Sequence, residues 1–272
     1  MSTSSYLITG ASRGLGFEFV RQLAQDPKNT VIGLVRNKAA AEAKAKEQGL
    51  HNVHMVEAQY TDLASLKKAA EVVKGITNGG LDYLVNNAAI VSHISEWKTL
   101  GDFDDDFETM ERDIRESLEI NLLGAIKIIH AFLPLVRNGR EKKLITISTG
   151  MADIDLINAT EVAFGSPYAI SKGAINIAMA KYNALYNKDG ILFLAVSPGY
   201  VSTERNIAEA APADADKAAV LVGKFAEYAP HFQRPLTPQE SIKAVLAVMH
   251  KASIANGDGG AFISHLGNKQ WL

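Results

Sequence analysis

The sequence contains no cysteine, and this absence excludes several classes of chemistry. Without a thiol the chain cannot form disulfides, use a cysteine nucleophile or bind a metal through thiolates, and we expect no metal site. Net charge is also low, −2 over 272 residues, with no basic stripe and no basic residues interleaved with aromatic ones. Because nucleic-acid-binding proteins concentrate positive charge, we do not expect a nucleic acid partner.

Long apolar runs are missing as well. The N-terminus has no basic region followed by an apolar one, and no uninterrupted apolar run approaches the roughly 18 residues of a membrane span. Apolar residues make up 47% and charged residues 21% of the chain, which is ordinary for globular proteins. We therefore expect a soluble, cytoplasmic protein without a membrane partner and with a substantial core.

The chain alternates short apolar segments with stretches of helical spacing. No linker interrupts this pattern, so it predicts an α/β fold: a single domain, residues 1–272, with one parallel, doubly wound sheet covered on both faces. The helices are predicted around Phe17–Gln25, Lys38–Gln48, the residues up to Arg137, Tyr168–Asn187 and Pro238–Asn256. The predicted strands are Ser5–Gly10, Thr30–Arg36, Asn52–Ala58, Leu81–Val85, Lys142–Thr149, Ile191–Val196 and Gly260–Ser264.

A glycine-rich turn follows the first predicted strand and precedes a helix, with the spacing Gly-x-x-x-Gly-x-Gly. Such a turn brings the backbone close to a diphosphate and directs the amides and dipole of the helix N-terminus at it. We therefore interpret the turn as a dinucleotide site rather than a simple tight connection. The expected contacts are Gly10, Ser12, Arg13, Gly14, Leu15 and Gly16.

The end of the second strand predicts which dinucleotide is used. An acidic residue about twenty positions after the glycines would bind the ribose 2′-hydroxyl, whereas arginine accommodates a 2′-phosphate. This chain has Arg36-Asn37 at that point, and Arg13 adds a second cation. The pattern favours NADPH/NADP over NADH; the alternative is two surface arginines without this role.

Further cofactor contacts are expected after the third and fourth strands. Asp62, followed by Leu63, is placed to cap the next helix and to meet the adenine edge. Asn86-Asn87-Ala88-Ala89 follows the fourth strand. Open α/β sheets bind ligands at the carboxyl ends of their strands, so Asn87, Ala88 and Ala89 are candidate cofactor contacts.

Tyr168 and Lys172 form the candidate catalytic pair. They are four residues apart, and Pro167 favours a helix start, so both side chains are expected on one helical face. A phenol has an unperturbed pKa of roughly 10, and a neighbouring ammonium favours its ionised form. The pair can therefore act as a general acid or base, although the same spacing also occurs on ordinary amphipathic helices.

Taken together, these motifs resemble the short-chain dehydrogenase/reductase family along the whole chain. The resemblance rests on Thr9–Gly16, Asn86–Ala89, Asn121, Ser148 and Thr149, Tyr168 with Lys172, and Pro198–Thr203. The segment Gly260–Trp271 is similar to the C-factor-like, sniffer-like and fungal ketoreductase subgroup.

The resemblance implies a Rossmann-type sheet of seven strands, hydride transfer between NAD(P)H and a carbonyl or alcohol, and a homodimer or homotetramer. It implies that Tyr168 gives its proton to the carbonyl oxygen and that Lys172 lowers the tyrosine pKa and binds the nicotinamide ribose. Asn121 would hold a water of the proton relay. The motif after the sixth strand would lie beside the nicotinamide carboxamide and diphosphate, through Pro198, Gly199, Val201 and Thr203.

The chain departs from the family pattern in two places. Ala89 stands where a glycine is usual, and we expect its methyl group to be tolerated. The substrate-orienting serine falls on Thr149 when residues are counted from Asn121, but Ser148 is the only nearby serine. Successive strand residues face opposite sides of a sheet, so only one of the two hydroxyls is expected to reach the carbonyl. We favour Thr149 by register and keep Ser148 as the alternative.

We expect the substrate to be a small, apolar carbonyl or alcohol compound. Its pocket would be built from the insertion between Thr149 and Tyr168, a lid at about 204–235, and residues 91–97. Two other functions on the same fold stay open, a cofactor-binding regulator without turnover and an isomerase or dehydratase. The expected pocket residues are Ile154, Phe164, Tyr200, Phe225 and Phe232.

Overall fold

A computed structural model of the chain describes residues 3–202 and 214–272. Within them seven strands form one sheet in the order β3-β2-β1-β4-β5-β6-β7, and each pair is parallel. This is the Rossmann-type, doubly wound single domain predicted from the sequence. The strands are β1 Ser5–Thr9, β2 Thr30–Val35, β3 Val53–Glu57, β4 Tyr83–Asn86, β5 Lys143–Ile147, β6 Leu192–Ser197 and β7 Phe262–Ser264.

Helices cover both faces of the sheet. One face packs against α3, α5 and α7, and the other against α1, α2 and α9. The helices are α1 Gly14–Leu23, α2 Lys38–Glu47, α3 Leu63–Ile76, α4 Phe107–Leu118, α5 Ala125–Asn138, α6 Ile154–Thr160, α7 Ser166–Tyr186, α8 Ala215–Tyr228 and α9 Pro238–Lys251.

Burial on both faces explains why the strands read as continuous apolar runs. In β1, Leu7 packs into the core under α3 and α5, while its neighbour Ile8 packs into the core under α1 and α9. Parallel strands covered by helices on both sides need apolar residues at successive positions. The order of strands changes direction between β1 and β4, so a crevice opens at their carboxyl ends.

Several predicted boundaries differ from the structure. Helix α1 begins at Gly14 rather than Phe17, because two glycines of the motif lie inside its first turn. The eighteen residues before Tyr168, for which no element was predicted, contain a short 3₁₀ helix, Gly150–Ala152, and α6. With only seven residues α6 shows no apolar periodicity, and its signal is the N-cap Asp153, which accepts from the amide of Leu156.

The long helix around Asn121 is continuous but not uniform. Between α4 and α5 the residues Glu119–Gly124 form a π-helical turn. Asp106 caps α4 by accepting from the amide of Thr109, as expected for an acid at a helix start. Pro134 lies inside α5.

The segment Phe107–Asn138 is also apolar enough to cross a membrane by length and composition alone. It has 32 residues, and its most apolar stretch of 18 has a mean hydropathy of 1.5. Polar residues interrupt this stretch, so it is not one continuous apolar run. Half of that stretch is buried inside the fold. Ile128, Ile129 and Phe132 pack into the core beneath the sheet, so this segment has the packing of a core helix.

Candidate active site

The glycine turn between β1 and α1 is folded tightly enough to exclude side chains. Gly10 and Gly14 have φ of +69° and +55°, in the left-handed region. A Cβ on Gly16 would lie 2.1 Å from the Gly10 carbonyl oxygen. Arg13 is the N-cap of α1 and provides no side-chain cap, so the first amides of the helix are left for another acceptor. The turn therefore fits the diphosphate of a dinucleotide.

The turn is tied to the segment after β4 across the crevice. The hydroxyl of Thr9 accepts from the amides of Asn87 and Ala88, at 3.0 and 2.9 Å. In return, the side-chain amide of Asn87 donates to the Thr9 carbonyl at 2.9 Å. Ala89 is exposed and has no positive φ, so its methyl group is accommodated. The two segments that flank the crevice are thus held in a fixed relation.

The end of β2 carries exposed positive charge. Arg36 and Arg13 are both exposed, while Asn37 caps α2 by accepting from the amide of Ala40. Lys44 of α2, which the sequence analysis did not select, donates to the Ser12 carbonyl at 3.4 Å. Its ammonium also lies 4.2 Å from the centroid of the Phe17 ring. Three cations therefore adjoin the glycine turn.

Tyr60 is a second residue that the sequence analysis missed. Its hydroxyl accepts from the amide of Gly10 at 2.7 Å and donates to the carbonyl of Leu34. Burial raises the pKa of Tyr60 to about 12, against smaller opposite effects from the Gly10 amide and from Arg36. Its position after β3, at the carboxyl edge of the sheet, was the available signal. Asp62 caps α3 by accepting from Ala64, and its expected adenine contact, with Leu63, stays a prediction.

The turn after β6 is fixed from three sides. The Pro198 carbonyl accepts from the hydroxyl of Ser241 at 2.7 Å, and Val201 pairs with Leu236 in a short parallel bridge. Gly199 has a φ of +82°, and a Cβ there would lie 2.9 Å from the ring of His265. This contact explains the glycine. Thr203, the last residue of the predicted motif, lies outside the described residues.

Tyr168 and Lys172 rise from the first turns of α7, above the end of β5. Gly165 precedes the helix with a φ of +65°, and Pro167 occupies its first turn, as the sequence predicts. The Lys172 ammonium lies 5.8 Å from the centroid of the Tyr168 ring and donates to the Ile147 carbonyl at 2.8 Å. Complete burial lowers the pKa of Lys172 to about 8. At neutral pH the lysine is still mostly charged beside the phenol.

Asn121 lies in the π-helical turn and is buried. Its side chain accepts from the amide of Ile90 at 2.8 Å and donates to the Ile90 carbonyl at 3.0 Å. It also donates to the hydroxyl of Ser171, which in turn donates to the Tyr168 carbonyl. Asn121 therefore joins the segment after β4 to the helix that carries the tyrosine.

The two hydroxyls after β5 have different environments. The Ser148 oxygen is buried and has no hydrogen-bond partner among the described residues. Thr149 is half-buried, and its hydroxyl oxygen accepts from the amide of Met151 at 3.3 Å. That contact leaves the hydroxyl hydrogen of Thr149 available for donation. An atom closed to solvent cannot contact a ligand without rearrangement, so accessibility distinguishes the two.

An apolar cluster lies beside these hydroxyls. Ile154, which the sequence predicts to line the pocket, does not belong to this cluster: it is the first residue of α6, and its side chain is 73% exposed. The other four predicted pocket residues do belong to the cluster. Its buried members are Val162, Leu221 and Phe225, and the partly buried ones are Trp97, Met151, Phe164, Tyr200, Phe232 and Leu272.

Helix α8 is fastened over this cluster by lysines. Lys217 donates to the Trp97 carbonyl at 2.8 Å, and Lys224 donates to the Thr160 carbonyl at 2.8 Å. Both acceptors are main-chain groups of the segments that border the cluster. The predicted lid, 204–235, is described from residue 214 onward, and its opening and closing stay a prediction.

Comparisons with known proteins agree with this geometry. A model of the short chain dehydrogenase family matches residues 5–213. The chain is 44% identical over 270 residues to the short chain dehydrogenase virK of Hypocrea virens, covering 98% of this chain and 99% of that protein. It is 47% identical over 271 residues to the short-chain dehydrogenase/reductase AacuF of Aspergillus aculeatus, with the same two coverages.

Solved structures give the same fold. The NADPH-bound carbonyl reductase from chicken fatty liver superposes with a TM-score of 0.76 at 25% identity, over 98% of each chain. The carbonyl reductase Sniffer of D. melanogaster superposes with a TM-score of 0.74 at 20% identity, also over 98% of each chain, and at that identity it supports the fold alone.

Proposed function

The chain belongs to the short-chain dehydrogenase family, and on that premise we propose that it is an NADPH-dependent reductase of apolar ketones or aldehydes. The same chemistry in reverse would oxidise an alcohol. The observation that carries the proposal is the buried Lys172 ammonium, 5.8 Å from the Tyr168 ring and beside the end of β5. On an ordinary amphipathic helix the lysine would be exposed to solvent, so the burial of this ammonium argues against that alternative.

Each residue of the site would have its own role in the reduction of the carbonyl group. NADPH, when bound, supplies the hydride that the carbonyl carbon accepts. Tyr168 gives its phenolic proton to the carbonyl oxygen, and the positive charge of Lys172 favours the phenolate that remains. Thr149 donates a hydrogen bond to the same oxygen and orients it. The products are an alcohol and NADP, so the two electrons and the proton are accounted for.

Asn121 would serve the proton relay through its main chain. Its side-chain amide is already engaged by Ile90 and Ser171. In a π-helical turn the carbonyl groups do not accept from the amides four residues ahead as they do in an α-helix, and such turns occur frequently at functional sites. A carbonyl of this turn can hold the water that returns a proton towards Lys172 and Tyr168.

The cofactor would lie along the carboxyl edge of the sheet. Its diphosphate would meet the amides of Gly14, Leu15 and Gly16 at the uncapped start of α1. Its 2′-phosphate would meet Arg36 and Arg13, with Lys44 nearby. The bound NADPH of the chicken carbonyl reductase supports this choice of cofactor.

Replacing Tyr168 by Phe tests the mechanism. NADPH absorbance is followed with a panel of aldehydes, quinones and polycyclic ketones. We expect turnover of the best substrate to fall by about 10²- to 10⁴-fold, the usual contribution of a general acid. The dissociation constant of NADPH should stay unchanged, because only one hydroxyl is removed. No oxidation by the wild type with any substrate, or an undiminished rate in the variant, would overturn the mechanism.

Replacing Arg36 by Asp tests the choice of cofactor. We expect the ratio of kcat/KM for NADPH to that for NADH to fall by about 10- to 100-fold, since a charged hydrogen bond to the 2′-phosphate is lost. Lys67→Asp makes the same change of charge at an exposed position of α3 and is the matched control. A ratio that changes equally in both variants would refute the selector role of Arg36.

Separate alanine variants at positions 148 and 149 assign the orienting hydroxyl. Because the Ser148 oxygen is closed to solvent, we expect Ser148→Ala to retain most of its activity. Thr149→Ala should lose about 10-fold or more in kcat/KM, the value of a hydrogen bond to a developing charge, and Thr149→Ser should recover it. A larger loss at Ser148 would reverse the assignment, and full activity in both would remove the role.

We also propose that the protein is a homodimer or homotetramer, as the family resemblance implies. Exposed apolar side chains on one face of α7, Ile170 and Ile177, support this, since they are seven residues apart and lack cover in the single chain. Sedimentation velocity at micromolar concentration should give a dimer or larger species for the wild type and monomer for Ile177→Asp. A monomeric wild type would contradict the proposal.

A further inference from the structure

The segment that follows β7 turns back over the candidate active site. The turn is closed by the amide of Ser264, which donates to the Asn268 carbonyl at 2.8 Å, and Gly267 within it has a φ of +77°. Lys269 then lies 3.6 Å from Asp153, the residue that caps α6. The segment 268–272 is therefore directed across the insertion before Tyr168.

Trp271 anchors this segment beside the catalytic hydroxyls. It is 2% exposed and stacks on Phe262 of β7 with ring centroids 4.4 Å apart. A Cβ on Gly150 would lie 2.9 Å from the Cβ of Trp271, so the tryptophan rests directly on Gly150. Gly150 follows Thr149 in the chain. The anchor thus fixes the end of the segment next to the hydroxyl that is proposed to orient the carbonyl.

Leu272 extends from that anchor into the apolar cluster. Its side chain is half-buried and packs with the cluster that contains Met151, Phe164 and Tyr200. Its main-chain oxygen lies 2.8 Å from Nε2 of His231, in the segment after α8. Met151 in turn adjoins Gly165, since a Cβ there would lie 3.5 Å from the Met151 methyl group. The cluster therefore reaches from Leu272 to the start of the helix that carries Tyr168.

The chemistry of this cluster points to a ligand with an apolar body. Its core members are buried, but Trp97, Met151, Phe164, Tyr200, Phe232 and Leu272 keep part of their surface accessible. Accessible apolar surface beside a proton donor gains free energy when a hydrocarbon ring covers it. The Trp271 side chain is buried and holds the segment in place, whereas the Leu272 side chain is half-buried and keeps surface that a ligand can contact.

We propose that Leu272 is a specificity-determining residue, whose side chain forms one wall of the pocket for ring-containing apolar ketones. The inference rests on the proposed carbonyl-reductase function. Substrate selection would then depend on the segment after β7 together with the insertion before Tyr168, α8 with its following loop, and the segment of Trp97. The sequence predicts the last three as pocket regions, but not the segment after β7.

Direct binding of a two-ring ketone, 1-acetonaphthone, tests the wall without requiring turnover. The two tryptophans of the chain, Trp97 and Trp271, both lie at this site, so ligand binding to the NADP-loaded protein is followed by quenching of their fluorescence. We expect Leu272→Ala to weaken ketone binding by about 5- to 20-fold, since a half-buried aliphatic contact is lost. Ile154→Ala removes the same kind of group from an exposed position of α6 and should change nothing.

Leu272→Phe provides a readout that a merely structural role would not change. A larger wall should lower kcat/KM for 1-acetonaphthone relative to the one-ring ketone acetophenone by at least fivefold, while the dissociation constant of NADPH stays constant in all variants. Equal binding by Leu272→Ala and Ile154→Ala, or no ketone binding by the wild type, would overturn the inference. Binding with the predicted differences but without NADPH oxidation would contradict the proposed function and leave the pocket assignment standing.

Discussion

Burying the Lys172 ammonium is the constraint on which the rest of the site depends. A buried cation is costly unless it is hydrogen-bonded, and here the Ile147 carbonyl, at the last residue of β5, accepts from it at 2.8 Å. That contact requires α7 to begin directly above the end of β5, which the left-handed Gly165 and Pro167 make possible. Burial lowers the pKa of Lys172 to about 8. The ammonium therefore stays mostly charged at neutral pH, although its pKa lies only slightly above that pH.

The same region is joined by polar side chains that bond mainly to the backbone of neighbouring segments. Thr9 and Asn87 connect the glycine turn to the segment after β4, and Asn121 connects that segment to α7. Thr9 and Asn87 bond to main-chain groups at the ends of β1 and β4, where helix and strand ladders cannot satisfy them, and Asn121 reaches α7 through the hydroxyl of Ser171. The strand ends of the sheet therefore keep fixed relative positions, which hydride and proton transfer to one carbonyl group would need.

The sequence predicted the alternation of strands and helices and the parallel sheet, because buried strands and amphipathic helices are local patterns. It also predicted most of the residues at the carboxyl edge of the sheet, because the glycine spacing and the start of the tyrosine helix are local patterns too. It did not predict Tyr60 at the Gly10 amide: the position of Tyr60 after β3 indicates the carboxyl edge of the sheet, but no local pattern indicates that its hydroxyl reaches the ends of other strands. Ile154 was misplaced because an apolar residue in an unassigned segment has no defined face. In the structure it is the first residue of α6, and the helix turns its side chain to solvent while Leu156 is buried.

The residues proposed to transfer the proton and the proposed apolar walls of the pocket are held in place by different interactions. Tyr168, Lys172 and Asn121 depend on directed hydrogen bonds from β5, α7 and the π-helical turn. The walls depend on apolar packing among α8, the insertion and Leu272, and on contacts of Lys217, Lys224 and His231 with main-chain oxygens, beside a longer ion pair of Lys224 with Glu161. Main-chain acceptors do not specify the side chains that carry them, so Trp97 or Leu272 can change in size while their carbonyl contacts persist. If the proposed function holds, substrate selection can therefore vary in this scaffold without displacing the groups proposed to transfer the proton.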